Sequence, residues 1–311
     1  MPVKRGAICA MSVGVLLALA ACGDEPPAPA ASGPPPTTAA AVQPAPGEHA
    51  LTLDHGSLTR RYRLHAPPGY DGTRPVPLVI ALHPFPGDGL TMSEMVGLDT
   101  LAGREGFLTA YPDGVNGGFN AFVCCGQADD VGFLAALAAE LVRTWNVDAD
   151  RVYLTGISNG GDLSFRAAVE AIGVFAAIGA VSGGFIGSLP AGASYVPKSP
   201  VSVITFIGDQ DRYADEFTAG IKSWRERLDC AEVKPAPKRP AANVALSRAR
   251  CADGSDVELY TIGGMGHSWP GATEGTMAAP DAGVVATDLM WRFFAAHPRR
   301  AEPPVSPPST R

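Results

Sequence analysis

One turn between a strand and a helix constrains this fold more than any other feature of the sequence. The segment RVYLTGISNGGDLSFRAA (Arg151–Ala168) passes from an apolar, β-branched run through a glycine-rich corner into a helical pattern. Bulky side chains on either side of Ser158 would collide with the neighbouring strand and helix, so glycine stands at Gly156 and Gly160. This G-x-S-x-G pattern is typical of a nucleophile elbow, which presents a serine hydroxyl above a sheet. The sequence therefore predicts that Ser158 is a nucleophile.

Short β-rich segments alternate with helical ones on both sides of this turn. Asp130 is expected to cap a helix with Leu134, Leu137 and Leu141 on one face. The alternation predicts an α/β domain with a mostly parallel central sheet and helices on both faces. Residues 183–200 are too short and too rich in glycine and proline for a large lid. The other predicted segments are strands over 76–84, 106–114 and 151–158, strands in FAAIGAVSG, VSVITFIGDQD and DVELYTIGG, and helices after Ser158 and over 285–296.

A serine nucleophile needs a base, and the base needs a carboxylate that orients it. In sheets of this kind the chain order is serine, then Asp or Glu, then His. Two histidines follow Ser158: His267 lies in a glycine-rich loop just after a strand, whereas His297 borders the C-terminal tail. His267 is therefore the predicted base. Asp209 and Asp211 both qualify as the carboxylate, while Asp215 and Glu216 have the positions of first-turn helix residues.

The ends of the chain differ in composition from its middle. Residues 1–22 have the pattern of a lipoprotein signal peptide, and Leu19-Ala20-Ala21-Cys22 resembles a lipobox in which Cys22 would carry the lipid. Residues 23–47 form a Pro/Ala-rich tether, residues 48–297 the catalytic domain, and residues 298–311 a tail of disordered character. These segments predict an exported protein with a lipid anchor in a membrane. If Cys22 is not lipidated, they predict a secreted protein instead.

Charge and cysteine content limit the partners and the compartment. The formal net charge of -7 argues against a nucleic-acid partner, because phosphate neutralisation needs a basic surface. Cys9 leaves with the signal peptide, so Cys124, Cys125, Cys230 and Cys251 remain in the predicted domain. Outside the cytoplasm these four are expected to form disulfides, and their number allows three pairings.

Five segments in order resemble one family of secreted esterases: ALHPFPG, AYPDGVNGGFNAFVCCGQADDVGF, DADRVYLTGISNGG, FIGDQD and GGMGHSWPG. The family contains polyhydroxybutyrate depolymerases and type 1 carbohydrate esterases such as feruloyl esterases. The resemblance implies an α/β-hydrolase fold and a catalytic aspartate at Asp211, where the family usually reads His-Gly-Thr-x-Asp. It also implies oxyanion donors at the backbone N–H groups of Phe85 and Asn159. No metal and no cofactor are implied.

The same resemblance assigns further roles. His83 would be structural rather than catalytic, and Trp269 would pack beside His267 and shape the substrate pocket. Cys230 and Cys251 would form a disulfide, which leaves Cys124 and Cys125 bonded to each other or free.

The sequence therefore predicts an extracytoplasmic serine ester hydrolase. Its expected substrates are feruloyl or acyl-polysaccharide esters, or hydroxyalkanoate oligomers. Two alternatives remain open: acyl transfer or peptide hydrolysis on the same triad, and a non-catalytic surface binding module on a hydrolase scaffold.

Overall fold

A computed structural model describes residues 44–234 and 238–299 of the chain. The strands in these ranges are β1 (Gly47–His55), β2 (Leu58–Ala66), β3 (Val76–Leu82), β4 (Leu108–Pro112), β5 (Val147–Ile157), β6 (Ala177–Val181), β7 (Ser202–Gly208), β8 (Ala231–Glu232), β9 (Val244–Arg250), β10 (Asp256–Ile262), β11 (Trp269–Pro270) and β12 (Ala278–Ala279). The α-helices there are α1 (Gly89–Val96), α2 (Leu98–Glu105), α3 (Asp130–Thr144), α4 (Asn159–Glu170), α5 (Ala214–Arg227) and α6 (Ala286–Ala296).

The centre of the molecule is a sheet in the order β1-β2-β4-β3-β5-β6-β7-β10-β9-β8. The strands from β4 to β10 in this order pair in parallel. Antiparallel strands complete both edges. The predicted mostly parallel sheet is therefore confirmed. Because the parallel strands run in one direction, the segments that follow them meet at one edge of the sheet.

Helices cover both faces of the sheet and enclose two separate hydrophobic cores. One core contains apolar side chains of α3, α4 and α5, such as Leu137, Phe165 and Trp224. The other contains side chains of α1, α2 and α6, such as Met92 and Phe294. Each parallel strand is thus apolar on both faces, which explains why these strands read as continuous apolar runs in the sequence. The predicted placement of helices on both faces is confirmed.

The start of α3 corrects one expectation from the sequence. Asp129, not Asp130, is the N-cap: its carboxylate accepts a hydrogen bond from Gly132 N at 3.0 Å. Asp130 is the first helical residue, and its buried carboxylate instead binds Arg60 at 2.6 Å. The Asp130 carboxylate accepts hydrogen bonds from Arg60 and from the backbone N–H of Asn120. The capping position is therefore taken by Asp129. The predicted apolar face of Leu134, Leu137 and Leu141 is buried.

Two parts of the fold lie outside what the sequence pattern predicted. The β1–β2 hairpin begins at Gly47, at the end of the predicted tether, and adds two strands to one edge of the sheet. At the other edge, β8 and β9 flank the Pro/Ala-rich excursion, where the Cys230–Cys251 disulfide joins the chain on its two sides. Cys124 and Cys125 are bonded to each other.

The segment between β6 and β7 carries no large lid in the described ranges. Its only regular structure there is a short 3₁₀ turn at Leu189–Ala191. The carboxyl edge of the sheet is therefore not covered by a helical cap from this segment.

Several predictions lie outside the described residues. These are the signal peptide over 1–22 with the lipidation site Cys22, the tether up to residue 43, and the tail from residue 300 onward. Within the described residues, no helix has both the length and the apolar character that crossing a bilayer requires.

Candidate active site

Ser158 stands at the apex of a strained turn between β5 and α4. Its φ of 56° and ψ of -122° are costly for a residue with a side chain. A Cβ atom on Gly156 would lie 2.5 Å from the carbonyl of Gly160, and one on Gly160 would collide with the carbonyl oxygen of Leu82. The two glycines therefore allow the close approach that the sequence analysis expected. The backbone N–H of Ser158 donates to Val181 O at 3.0 Å, which ties the turn to the neighbouring strand β6.

Asn159 fastens the start of α4 to the loop before α3. Its side-chain oxygen accepts from Phe119 N at 2.8 Å, and its amide nitrogen donates to Phe119 O at 3.1 Å and to Cys124 O at 3.3 Å. The disulfide-bonded pair Cys124–Cys125 thus lies in the loop that holds Asn159. The backbone N–H of Asn159 lies at the N-terminus of α4, where the helix dipole favours developing negative charge.

The loop after β3 contains Phe85, and hydrogen bonds of the buried His83 side chain hold this loop in place. His83 is fully buried; its Nε2 accepts from Gly114 N at 2.9 Å, so its Nδ1 donates to Pro84 O at 2.7 Å. Burial lowers the pKa of His83, although the hydrogen bond to Pro84 O opposes this shift. Phe85 is half exposed. In the described ranges, no hydrogen bond occupies the backbone N–H of Phe85 or of Asn159.

Asp211 and His267 form a hydrogen-bonded pair at the carboxyl edge of the sheet. Nδ1 of His267 donates to Asp211 Oδ2 at 2.8 Å, and the other carboxylate oxygen accepts from Tyr213 N at 3.0 Å. Burial by itself would raise the pKa of Asp211, but the hydrogen bonds from His267 and Tyr213 N outweigh it and lower the pKa below its ordinary value. A bond at Nδ1 fixes the tautomer and leaves the lone pair of Nε2 free to accept a proton.

Asp209 has a different task from Asp211. Its side chain accepts from Gly264 N at 2.7 Å, and its backbone N–H donates to Ile262 O at 3.0 Å. A Cβ atom on Gly208 would collide with the carbonyl of Met265, so glycine there allows the loops after β7 and β10 to touch. Asp209 therefore joins the two loops that carry Asp211 and His267, without contacting His267.

His297 forms a similar pair at the opposite edge of the sheet. Its Nε2 lies 2.9 Å from Oδ2 of Asp256, the first residue of β10. Ser158 and His267 follow the carboxyl ends of strands, whereas Asp256 begins one. Of these two histidine–aspartate pairs, only the one with His267 shares its edge with Ser158. No hydrogen bond joins Ser158 Oγ to His267 in the part of the chain that the structure describes.

Trp269, which the resemblance implied would pack beside His267 and shape the substrate pocket, is buried in the core. It is 1% exposed, and its indole N–H donates to Thr287 at 3.0 Å within the core. The aromatic rings next to His267 are Tyr213 and Phe217, with centroids 6.1 and 6.4 Å from the imidazole. Sequence reasoning missed both, although they follow Asp211 by two and six residues.

Asp162 is a second residue that sequence reasoning missed. Its carboxyl is buried one turn after Ser158, where Oδ1 accepts from Gly184 N at 2.8 Å. Burial raises the pKa of Asp162 to about 7, and the hydrogen bond from Gly184 opposes this only in part. The signal that could have identified it is an acidic residue four positions after the predicted nucleophile, on the same helical face.

Comparison with known proteins identifies esterases among the relatives of this chain. A family model described as "Esterase PHB depolymerase" matches residues 60–197. "Putative esterase NocK" of Nocardia uniformis subsp. tsuyamanensis is 31% identical over 89% of this chain and 93% of that protein. "Feruloyl esterase B" of Piromyces equi is 26% identical, over 67% of this chain and 42% of that protein.

A solved structure shares the fold. The acetyl xylan esterase from Aspergillus awamori superposes with a TM-score of 0.59 at 16% identity, covering 80% of this chain and 99% of that one. At this identity the likeness concerns the fold alone, and it confirms the expected α/β-hydrolase fold. The family model and the relative of similar length together show that the chain belongs to the PHB depolymerase esterase family and is a carboxylic ester hydrolase.

Proposed function

We propose that this hydrolase works through a Ser158–His267–Asp211 triad. Ser158 Oγ attacks the ester carbonyl carbon while His267 Nε2 takes the hydroxyl proton. The C–O bond to the alcohol then breaks, and His267 returns that proton to the leaving alkoxide. A water molecule, deprotonated by His267, attacks the acyl-enzyme; the carboxylic acid leaves, and the proton returns to Ser158 Oγ.

The remaining groups stabilise charge that develops during these steps. Asp211 holds the His267 tautomer and stabilises the imidazolium that forms. The backbone N–H groups of Phe85 and Asn159 bind the oxyanion, where one donor is typically worth about 2.7–4 kcal/mol. Both N–H groups lack an internal partner in the described ranges, which supports this role.

The single observation that carries the proposal is the hydrogen bond of 2.8 Å between His267 and Asp211. It lies at the same sheet edge as the strained turn of Ser158, and it leaves Nε2 as the free basic atom. The absence of a hydrogen bond between Ser158 and His267 is compatible with the proposed triad, because catalytic hydrogen bonds are often long until substrate binds.

The substrate proposed is an ester with a bulky apolar acyl group, such as a feruloyl or other acyl-polysaccharide ester or a hydroxyalkanoate oligomer. Three exposed apolar side chains support it: Phe85 after β3, Val123 in the loop held by Asn159, and Tyr213 beside His267. The name of one relative, feruloyl esterase, agrees with this class. The two disulfides agree with an extracytoplasmic location.

A panel of three esters tests the proposal: a feruloyl sugar ester, an acetylated sugar and a hydroxybutyrate oligomer. We expect wild-type protein to hydrolyse at least one of them, and Ser158→Ala and His267→Ala each to lose nearly all of that activity, because nucleophile and base act as one unit.

Two matched controls accompany these variants. Ser164→Ala removes a hydroxyl from the same helix, where it donates to Gly160 O at 2.9 Å, and His297→Ala removes the histidine of the opposite edge. Both are expected to keep most of the activity. Retained hydrolysis by Ser158→Ala, or equal losses in His267→Ala and folded His297→Ala, would contradict the proposed triad.

A further inference from the structure

Asp162 is a buried acid that the proposed reaction leaves unused. Its Oδ1 accepts from Gly184 N, while its Oδ2 has no hydrogen-bond partner in the described ranges and keeps contact with solvent. No salt bridge in those ranges involves it. The nearest cation along the helix, Arg166, is occupied by Glu170 at 3.0 Å and by Asn120 O at 2.8 Å.

The position of this carboxyl relates it to the reacting groups. The backbone N–H of Asp162 donates to Ser158 O at 2.9 Å, so the residue lies directly on the elbow. Gly184, which binds its Oδ1, lies against Phe217: a Cβ atom on Gly184 would meet Phe217 Cδ1 at 2.8 Å. The Phe217 ring is in turn 6.4 Å from the His267 ring. These contacts place Asp162 on the same side of Ser158 as His267.

A buried acid without a cation is costly to maintain in its charged form. With a pKa near 7, this carboxyl is present in both protonation states around neutral pH. A hydroxyl group suits both states, because it can donate to the carboxylate and accept from the carboxylic acid. An ammonium group would be bound only by the ionised state. The chemistry therefore favours a hydroxyl as the ligand of the free oxygen.

We infer that Asp162 is a specificity residue that binds a second hydroxyl on the leaving alcohol of the ester. The inference rests on the proposed function, in which His267 protonates the leaving alkoxide and its side of the cleft receives the alcohol. The preferred substrates are then esters of polyols or sugars, rather than esters of simple alkanols with the same acyl group.

Two butyrate esters test this, because they differ only in the hydroxyls of the alcohol: glyceryl monobutyrate and propyl butyrate. The measured quantity is kcat/KM for glyceryl monobutyrate divided by kcat/KM for propyl butyrate. In Asp162→Leu, which has a similar shape but no polar atom, the ratio should fall roughly 10- to 100-fold, the range for a lost hydrogen bond to a charged group. In Asp162→Asn it should fall less, because the amide can still bond a hydroxyl.

Glu170→Gln is the matched control, since it removes a carboxylate from the other end of the same helix, and its ratio should equal the wild-type ratio. An unchanged ratio in folded Asp162→Leu, or equal losses for both esters, would overturn the inference and leave the carboxyl as a support for Gly184. If the leucine variant does not fold, an unchanged ratio in Asp162→Asn at both pH 6 and pH 8 overturns it. Failure of the proposed function looks different: Ser158→Ala would still hydrolyse propyl butyrate.

Discussion

At the scale of single residues, the site divides its tasks between neighbours of similar chemistry. Asp211 and Asp209 stand two positions apart, yet only Asp211 contacts the imidazole of His267. Asp209 instead accepts from Gly264 N and so holds the loop in which His267 lies. The turn after β7 directs the carboxylate of Asp211 inward and leaves the carboxylate of Asp209 exposed.

This division predicts unequal effects of two equivalent substitutions. Asp211→Asn should lower kcat on a p-nitrophenyl ester by on the order of 10³- to 10⁴-fold, because an amide favours the wrong histidine tautomer. Asp209→Asn should change kcat by no more than a few fold, since the asparagine oxygen can still accept from Gly264 N. Steady-state kinetics of the two purified variants measures this, and a larger loss in Asp209→Asn would show that the roles are reversed.

The raised pKa of Asp162 predicts a pH-dependent stability difference. A carboxyl with a folded-state pKa of about 7 and an ordinary value of 3.8 binds more protons when folded, so it lowers stability progressively as pH rises from about 4 to 7. Asp162→Asn lacks this titration. Its stability relative to wild type should therefore increase between pH 5 and pH 8, on the order of 2 kcal/mol. Urea unfolding at both pH values measures it; an equal difference at the two would contradict the shift.

At the scale of elements, sequence reasoning identified what depends on local pattern. The continuous apolar strands, the elbow and the helix over 286–296 all have periodic or glycine signals that act within a few residues. The antiparallel strands β1, β2, β8 and β9 were missed, because half-exposed edge strands have weak apolar patterns and the Pro/Ala-rich excursion obscures two of them.

Burial across elements also escaped prediction. Trp269 lies in the core because it meets Thr287 of α6, a contact that chain order does not reveal. Asp130 failed as a cap because Arg60, 70 residues earlier, binds it. Asp162 and Tyr213 were missed for the same reason: their importance comes from long-range packing against the β6–β7 segment and against His267.

The Cys230–Cys251 disulfide stabilises the edge at which β8 and β9 pair. It closes a loop with a sequence separation of 21 residues. Replacing both cysteines with serine should lower the free energy of unfolding by about 3 kcal/mol, chiefly because the unfolded chain gains conformational entropy without the cross-link. Urea unfolding without reductant measures the loss. Peptide mapping that finds Cys230 joined to Cys124 or Cys125 would contradict the pairing.

At the scale of the whole molecule, we propose that the protein is exported and held at a membrane by a lipid on Cys22. The proposal rests on the lipobox pattern at Leu19-Ala20-Ala21-Cys22 and on the Pro/Ala-rich composition of the residues that follow it.

The lipid anchor is tested by fractionation. Wild-type protein should partition with membranes, and Cys22→Ala should move it to the soluble exported fraction with unchanged esterase activity, because Cys22 lies far from the catalytic domain in sequence. The N-terminal residue and its mass are the direct readout. Wild-type protein found free in the medium with an unmodified N-terminus would replace lipid anchoring with simple secretion.

The measurement that tests the central claim most directly is covalent labelling with a fluorophosphonate, followed by peptide mass mapping. The account predicts one adduct, on Ser158, formed by wild-type protein and by Ser164→Ala but absent from Ser158→Ala. Labelling should slow strongly in His267→Ala, because the hydroxyl then lacks its base. An adduct on another residue, or labelling that persists in Ser158→Ala, would contradict the assignment of Ser158 as the nucleophile.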